Sequence, residues 1–397
     1  MDPMTLRMEM GAELERILSF WMEHAVDETH GGFHGELDNQ NQIVPGADRS
    51  AILNARILWT FAAAHRITGC EAYRHMADRA FAYLSQHFVD RQHGGVFWSV
   101  HPDGSVANDR KQLYAIAFAV YGCSEYYGAT QTPEALQLAQ ALYRSIEQHG
   151  FDAKRGGYYE AFARDWGALQ DLRLSDKDEN APKTMNTHLH ILEAYANLLR
   201  YWKDAGLEQQ LRHLIEISLE KIVQDDFHFG LFFDEDWNPT HRNVSFGHDI
   251  EGSWLLWEAA EVLGDAALAK RVKTVALQMA EVTLEQGIAP GGGVMEELHI
   301  GHGVKDTSFH WWPQAEGIVG FYNAYQLTGD ARYFEMATRL WCFARDHLRD
   351  LEHGEWFWHV DAAGNALRDA CKLGFWKCPY HNGRACMEIL HRIPNSI

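Results

Sequence analysis

Long apolar runs are missing from this sequence. No stretch of 18 or more apolar residues occurs, so no membrane-spanning helix is expected. The opening MDPMTLRMEMGAELERIL has no basic stretch followed by an apolar one. No secretory signal is read there, and a cytoplasmic location is expected. Basic charge is also short, since 35 Lys and Arg face 55 Asp and Glu, a formal net charge of -20. Nucleic acid and anionic membranes call for a basic footprint, so neither is expected as a partner. The balance suits a neutral small molecule and is compatible with a monomer, the state expected here. The six cysteines, at 70, 123, 342, 371, 378 and 386, show no CxxC spacing, so free thiols are expected rather than a disulfide framework. HExxH, GxSxG and Cys–His zinc spacings are absent, and the glycine run at 291–293 lacks the GK[ST] ending of a phosphate loop. No metal and no cofactor are expected.

What the chain does have is a repeat. A glycine-led stretch, an alternating aromatic or apolar segment and a polar turn recur six times. The copies are GGFHGELDNQN (31–41), GGVFWSVHPDGS (94–105), GGYYEAFARDW (156–166), FGLFFDEDWNP (229–239), GGGVMEELHIG (291–301) and GEWFWHVDAAGN (354–365). The spacing is about 62 residues, except across the third interval, where the charged stretch LRLSDKDENAPK (172–183) accounts for the excess. Period-2 alternation beside Gly, Asn and Asp predicts a small β-hairpin. Between the hairpins lie amphipathic helical patterns in pairs, such as SAILNARILWTFAAAHRI (50–67) with EAYRHMADRAFAYLSQHF (71–88). Six helix pairs, each burying its apolar face on its neighbours, make one domain over 1–397. An all-α fold follows, with short β-hairpins at one rim. The expectation is an (α/α)6 barrel, although an open solenoid satisfies the repeat equally.

The chemically unusual residues fall at one phase of that repeat. After each hairpin, and near the start of the next helix, come Asn54 and Arg56, Tyr114, Asn186 and His190, His248 and Glu251, Trp311 and Trp312, and His381. If the units are related by rotation, these residues converge on one mouth. In MNTHLHILEAY, Asn186 and His190 are i,i+4 and share a helix face, while His188 points elsewhere, so the two histidines of HLH cannot chelate one metal ion. His248 and Glu251 are i,i+3, close enough for the carboxylate to orient the imidazole, though a surface ion pair has the same spacing. The aromatics (Trp 14, Tyr 15, Phe 20) serve core packing and sugar stacking alike. Imidazoles both take and give protons near neutrality. Two of them on opposite sides of a planar intermediate can invert a carbon next to a carbonyl. An inverting glycosidase needs paired carboxylates instead, and Glu251 and Glu316 leave that class open.

The strings ILNARILWTF, KTMNTHLHILEAY, NVSFGHDIEGSWLL, HWWPQAE and FWKCPYHNGRACMEI resemble the cellobiose 2-epimerase branch of the N-acylglucosamine 2-epimerase superfamily, along nearly the whole chain. The resemblance implies an (α/α)6 barrel and a metal-independent isomerase. Its substrate is a β-1,4-linked disaccharide such as cellobiose or lactose, whose reducing-end glucose becomes mannose. His248 and His381 take the places of the acid/base pair, and Glu251 that of the carboxylate supporting His248. Arg56, Asn186 and His190 match residues contacting the reducing-end sugar. Trp312 and Trp376 match aromatic platforms, with Trp311 and Tyr114 beside them. The segment LGFWKCPYH carries no acidic residue near its tryptophan, a departure from the family pattern. An N-acylglucosamine 2-epimerase and an aldose–ketose (mannose) isomerase are the alternatives within the superfamily. An α/α-barrel glycosidase and a non-catalytic sugar-binding protein are the alternatives outside it.

Overall fold

A computed structural model describes residues 1–299, 304–306 and 308–394. The end of the fifth glycine-led stretch, Ile300 and Gly301, lies outside them. Among the described residues are twelve α-helices: α1 (Pro3–His24), α2 (Ala51–Thr68), α3 (Glu71–Tyr83), α4 (Leu113–Thr130), α5 (Pro133–His149), α6 (Met185–Tyr201), α7 (Ala205–Ile217), α8 (Phe246–Leu263), α9 (Ala266–Val282), α10 (Trp311–Thr328), α11 (Ala331–Phe343) and α12 (Tyr380–Arg392). The even-numbered helices form an inner ring. Each touches the next, and α12 packs back on α2, so the ring closes. The odd-numbered helices form an outer ring. Five of them back the inner helix just before them in sequence, whereas α1 packs on α12. The sixth helix pair therefore joins the two ends of the chain. Arg7 of α1 fastens it, donating to the carbonyl of Ile393 at 2.6 Å. The fold is an (α/α)6 barrel.

Composition separates the two rings. Residues 113–126 of α4 are buried without exception, because both faces of an inner helix meet protein. By contrast α5 buries only Ala135, Ala139, Leu142, Tyr143 and Ile146, the stripe of an amphipathic helix. Inner helices also approach one another closely. A Cβ on Gly122 would lie 2.7 Å from the carbonyl oxygen of Ala55, and one on Gly320 would lie 2.7 Å from that of Ile250.

The expected hairpins form in part. Ser99–Val100 with Val106–Asn108, Glu297–His299 with Val304–Asp306, and His359–Val360 with Ala366–Leu367 are antiparallel pairs. In the first and fourth units the stretch closes with single bridges, Leu37 to Ile43 and Phe233 to Pro239. Pairing between units is the more regular feature. The short strand before each of five inner helices pairs with the following unit: Arg49–Ser50 with Ser99–Val100, Lys111–Gln112 with Ala161–Phe162, Lys183–Thr184 with Phe232–Phe233, Asn243–Ser245 with Glu297–His299, and Phe309–His310 with His359–Val360. Leu373 then bridges Leu37, so the last unit is stitched to the first.

Four of these junctions carry a buried ion pair: Arg49 with Asp27, Lys111 with Asp90, Lys183 with Asp152, and Lys372 with Asp350. Each aspartate also accepts backbone N–H bonds from its own turn, as Asp350 does from Glu352 and His353. In the fourth and fifth units Gln224 and Ala289 stand at the aspartate position. These latches fix the strand that feeds each inner helix, and so the first turn that reaches the barrel mouth. His188, on the outward face of α6, has a related task. Its Nε2 accepts from the backbone N–H of Tyr158 at 2.8 Å and its Nδ1 donates to the carbonyl of Thr184 at 2.7 Å.

Candidate active site

The N-terminal turns of the inner helices surround a cavity of about 440 Å³. It is lined by Arg56, Tyr114, Asn186, His190, His248, Glu251, Trp311, Trp312, Trp376 and His381, together with Trp358, Glu296, His310 and part of the charged 172–183 loop. A second lobe of about 380 Å³ shares Asn186 and His248 with it and continues beneath that loop. Ten of the residues singled out by repeat phase and resemblance are therefore neighbours; Asn54 is not among them, being fully buried on α2 with its Nδ2 donating to the carbonyl of Ser50 at 2.9 Å. Rotation about the barrel axis brings them together, since each sits at or near the mouth end of its inner helix. Six helix N-termini pointing at one space favour negative charge there.

The two candidate proton carriers both pack on one tryptophan. Ring centroids lie 4.6 Å apart for His248 and Trp312 and 5.7 Å apart for Trp312 and His381. Nδ1 of His381 donates to Oε1 of Glu316 at 2.7 Å. Nδ1 of His248 lies 2.7 Å from Oγ of Ser245. Among the described residues, no partner hydrogen-bonds Nε2 of either ring. Burial presses both imidazoles down to about 3. His190 and Arg56 push His248 the same way, whereas Glu316 works against burial at His381. Both rings are therefore neutral in the resting protein at neutral pH. His190 is also neutral, held well below the usual imidazole range by burial and by the cations Arg56 and Arg384.

Behind His381 lies a charged hub that sequence reasoning missed. Arg384, on α12, is fully buried and donates to Oε2 of Glu193 at 2.8 Å, Oε1 of Glu251 at 2.6 Å and Oε1 of Glu316 at 2.7 Å. Its guanidinium also stacks over the rings of Trp254 and Tyr380. Burial alone would raise the Glu316 carboxyl, but Arg384 and His381 outweigh it and hold it at about 2. Glu251 goes the other way. Burial and the neighbouring Glu316 charge raise it well above the ordinary carboxyl range. Glu193 accepts from Nδ1 of His190 at 2.5 Å, so the His-x-x-Glu spacing does form a pair at 190/193.

That spacing does not form the expected pair at 248/251. Glu251 turns to Arg384, reaches only to 4.0 Å from Nδ1 of His381, and leaves Ser245 as the partner of His248. The reason is electrostatic. A buried carboxylate goes to the nearest guanidinium, and α12 supplies one from across the ring. The same repeated spacing, His190-x-x-Glu193 and His381-x-x-Arg384, was the available signal for the hub.

Arg56 is a cation open to a ligand. It donates to the Tyr114 hydroxyl at 2.7 Å and lies over the Phe118 ring at 4.2 Å, and among the described residues no carboxylate pairs with it. Lys377, in the segment LGFWKCPYH that lacks the acidic residue of the family pattern, is fully buried. It bonds Glu355 at 3.4 Å and lies 5.0 Å over the Trp311 ring, behind the cavity wall. Glu251, Glu316 and His381 have ligand atoms close enough to share a metal ion. The Arg384 guanidinium already bridges the two carboxylates and supplies the positive charge at that point.

A curated cellobiose 2-epimerase from Bacteroides fragilis is 51% identical over 97% of this chain and 98% of its own length. One from Dictyoglomus turgidum is 36% identical over 99% and 100%. The solved structure of cellobiose 2-epimerase from Bacillus thermoamylovorans superposes with a TM-score of 0.94 at 37% identity, covering 98% of this chain and 99% of that one. The family model described as N-acylglucosamine 2-epimerase (GlcNAc 2-epimerase) matches residues 31–385, and the chain belongs to that family.

Proposed function

We propose that this protein is a carbohydrate 2-epimerase acting on the reducing-end glucose of β-1,4-linked disaccharides such as cellobiose and lactose, giving the mannose epimer. The observation that carries the reading is the pair of neutral histidines packed on Trp312, neither bonded at Nε2 among the described residues, beside an arginine that no carboxylate pairs with among those residues. The relatives named above, called cellobiose 2-epimerases, support the substrate class.

The proposed reaction opens the pyranose ring, with one histidine of the His248/His381 pair taking the proton of the C1 hydroxyl while water protonates the ring oxygen; His190, its proton held on Nδ1 by Glu193, offers Nε2 as an acceptor to a sugar hydroxyl. The other histidine of the His248/His381 pair removes the C2 proton. Negative charge develops on O1 of a cis-enediolate. Arg56 and the surrounding helix N-termini stabilise it. Rotation about C2–C3 presents the opposite face. The histidine charged during ring opening then protonates C2, and ring closure returns the remaining protons. Proton count and charge balance over the cycle. A proton delivered to C1 instead gives the ketose as a side product.

A glycosidase reading is weaker. Its two carboxylates should flank a scissile bond. Here Glu251 and Glu316 share one guanidinium nitrogen on one side of the cavity. The test is incubation of EDTA-treated protein with cellobiose in D2O, followed by NMR and chromatography. Glucosyl-mannose with deuterium at C2 is expected. Released glucose, or ketose as the main product, would overturn the proposal.

A further inference from the structure

Ser245 ends the strand Asn243–Ser245 and occupies the N-cap of α8. A serine at that place ordinarily spends its hydroxyl on first-turn amides. Ser50 does so for α2, accepting from the N–H of Leu53 at 2.9 Å, and Thr184 does so for α6, accepting from Thr187 at 3.1 Å. Ser245 makes no such cap. Its hydroxyl goes to Nδ1 of His248, at 2.7 Å.

The partner is chemically unlike those of His381 and His190. Nδ1 of His381 meets Glu316, and Nδ1 of His190 meets Glu193. An ionised carboxylate only accepts, so it fixes the proton on Nδ1 and leaves Nε2 as a lone pair. A hydroxyl accepts or donates. With Ser245 accepting, neutral His248 offers a lone pair at Nε2 and can take a proton from substrate. With Ser245 donating, neutral His248 carries its proton on Nε2 and can hydrogen-bond a substrate oxygen.

We infer that Ser245 is a positioning residue for His248, holding the ring by a hydroxyl that admits both neutral tautomers, whereas Glu316 locks His381 in one. This rests on the 2-epimerase reading. It makes the two proton carriers unequal: His381 is a dedicated base backed by charge, and His248 changes role within the cycle.

The test compares wild type with Ser245→Ala and Ser245→Thr by histidine-selective 15N NMR of the resting protein, steady-state kinetics on cellobiose, and thermal melting. In wild type, His381 is expected as the Nδ1–H form and His248 as a mixture of both neutral forms. Ser245→Ala should shift the His248 tautomer ratio and lower kcat by about 10- to 100-fold, with KM and Tm nearly unchanged. Ser245→Thr keeps the hydroxyl and should restore most of kcat. A His248 tautomer ratio identical in wild type and Ser245→Ala would overturn the inference, as would an undiminished kcat in that variant. If wild type does not epimerise cellobiose, the functional reading fails, while the NMR comparison still decides whether Ser245 sets the state of His248.

Discussion

Replacing Glu316 by Gln keeps the shape of a fully buried side chain and removes its charge. In the resting protein the carboxylate accepts from Nδ1 of His381, from Arg384 and from Nε1 of Trp254. When His381 takes the C2 proton, the imidazolium that forms faces this carboxylate at 2.7 Å. Two unit charges about 4 Å apart, centre to centre, interact by about 4 kcal/mol at an effective dielectric of about 20. Losing that term outright would cost close to three orders of magnitude in rate. Glu251 limits the loss. Its carboxyl is raised by burial and by the Glu316 charge, and without that charge it ionises more readily at 4.0 Å from the same nitrogen. We therefore expect Glu316→Gln to lower kcat by about 100-fold, with further loss in the double variant with Glu251→Gln. Glu316 does not line the cavity, so KM for cellobiose should change little. The assay is cellobiose epimerisation followed by chromatography, with C2 deuterium exchange in D2O as a second readout. A Glu316→Gln enzyme turning over at the wild-type rate would refute the view that His381 carries positive charge in the reaction.

Three further outcomes follow from the same geometry. Both catalytic imidazoles work as bases when neutral and are held neutral down to about 3, so kcat/KM should stay level as pH falls from 7 to 5; an inflection at the ordinary imidazole value of about 6.5 would contradict the burial argument. Lys372→Met leaves Asp350 buried without its cation at the junction that closes the ring, and should cost about 3–5 kcal/mol in denaturant unfolding while sparing turnover at low temperature. His188→Ala removes the acceptor for the Tyr158 N–H and should cost about 1–3 kcal/mol with kcat retained, whereas His190→Ala should abolish most turnover.

Much of the site could be read before the structure, and the reason is the repeat. A residue's phase within a unit of about 62 residues determines its height along the barrel axis. Arg56, Asn186, His248, Trp312 and His381 share that phase, so closing the ring carries them to one mouth whatever the side-chain details. The His188/His190 distinction was equally accessible, because two residues apart on a helix means opposite faces. The hub was less accessible. Arg384 stands three residues after His381, and its partners Glu193, Glu251 and Glu316 come from three other helices, so the repeated i,i+3 spacing points to the hub only once the ring is closed.

The sequence by itself therefore determined the number of units, the helix pairing and the set of side chains at the mouth, because periodicity is local and rotation does the rest. The tertiary structure decided closure and partnership. Leu37 meets Leu373, and α1 serves as the outer helix of α12, contacts between the two ends of the chain that no local pattern specifies. It also decided that Glu316 backs His381, that Glu251 serves Arg384 and that Ser245 holds His248. An i,i+3 spacing places two groups on one face. Which one a buried carboxylate chooses depends on the charges that reach it from across the barrel.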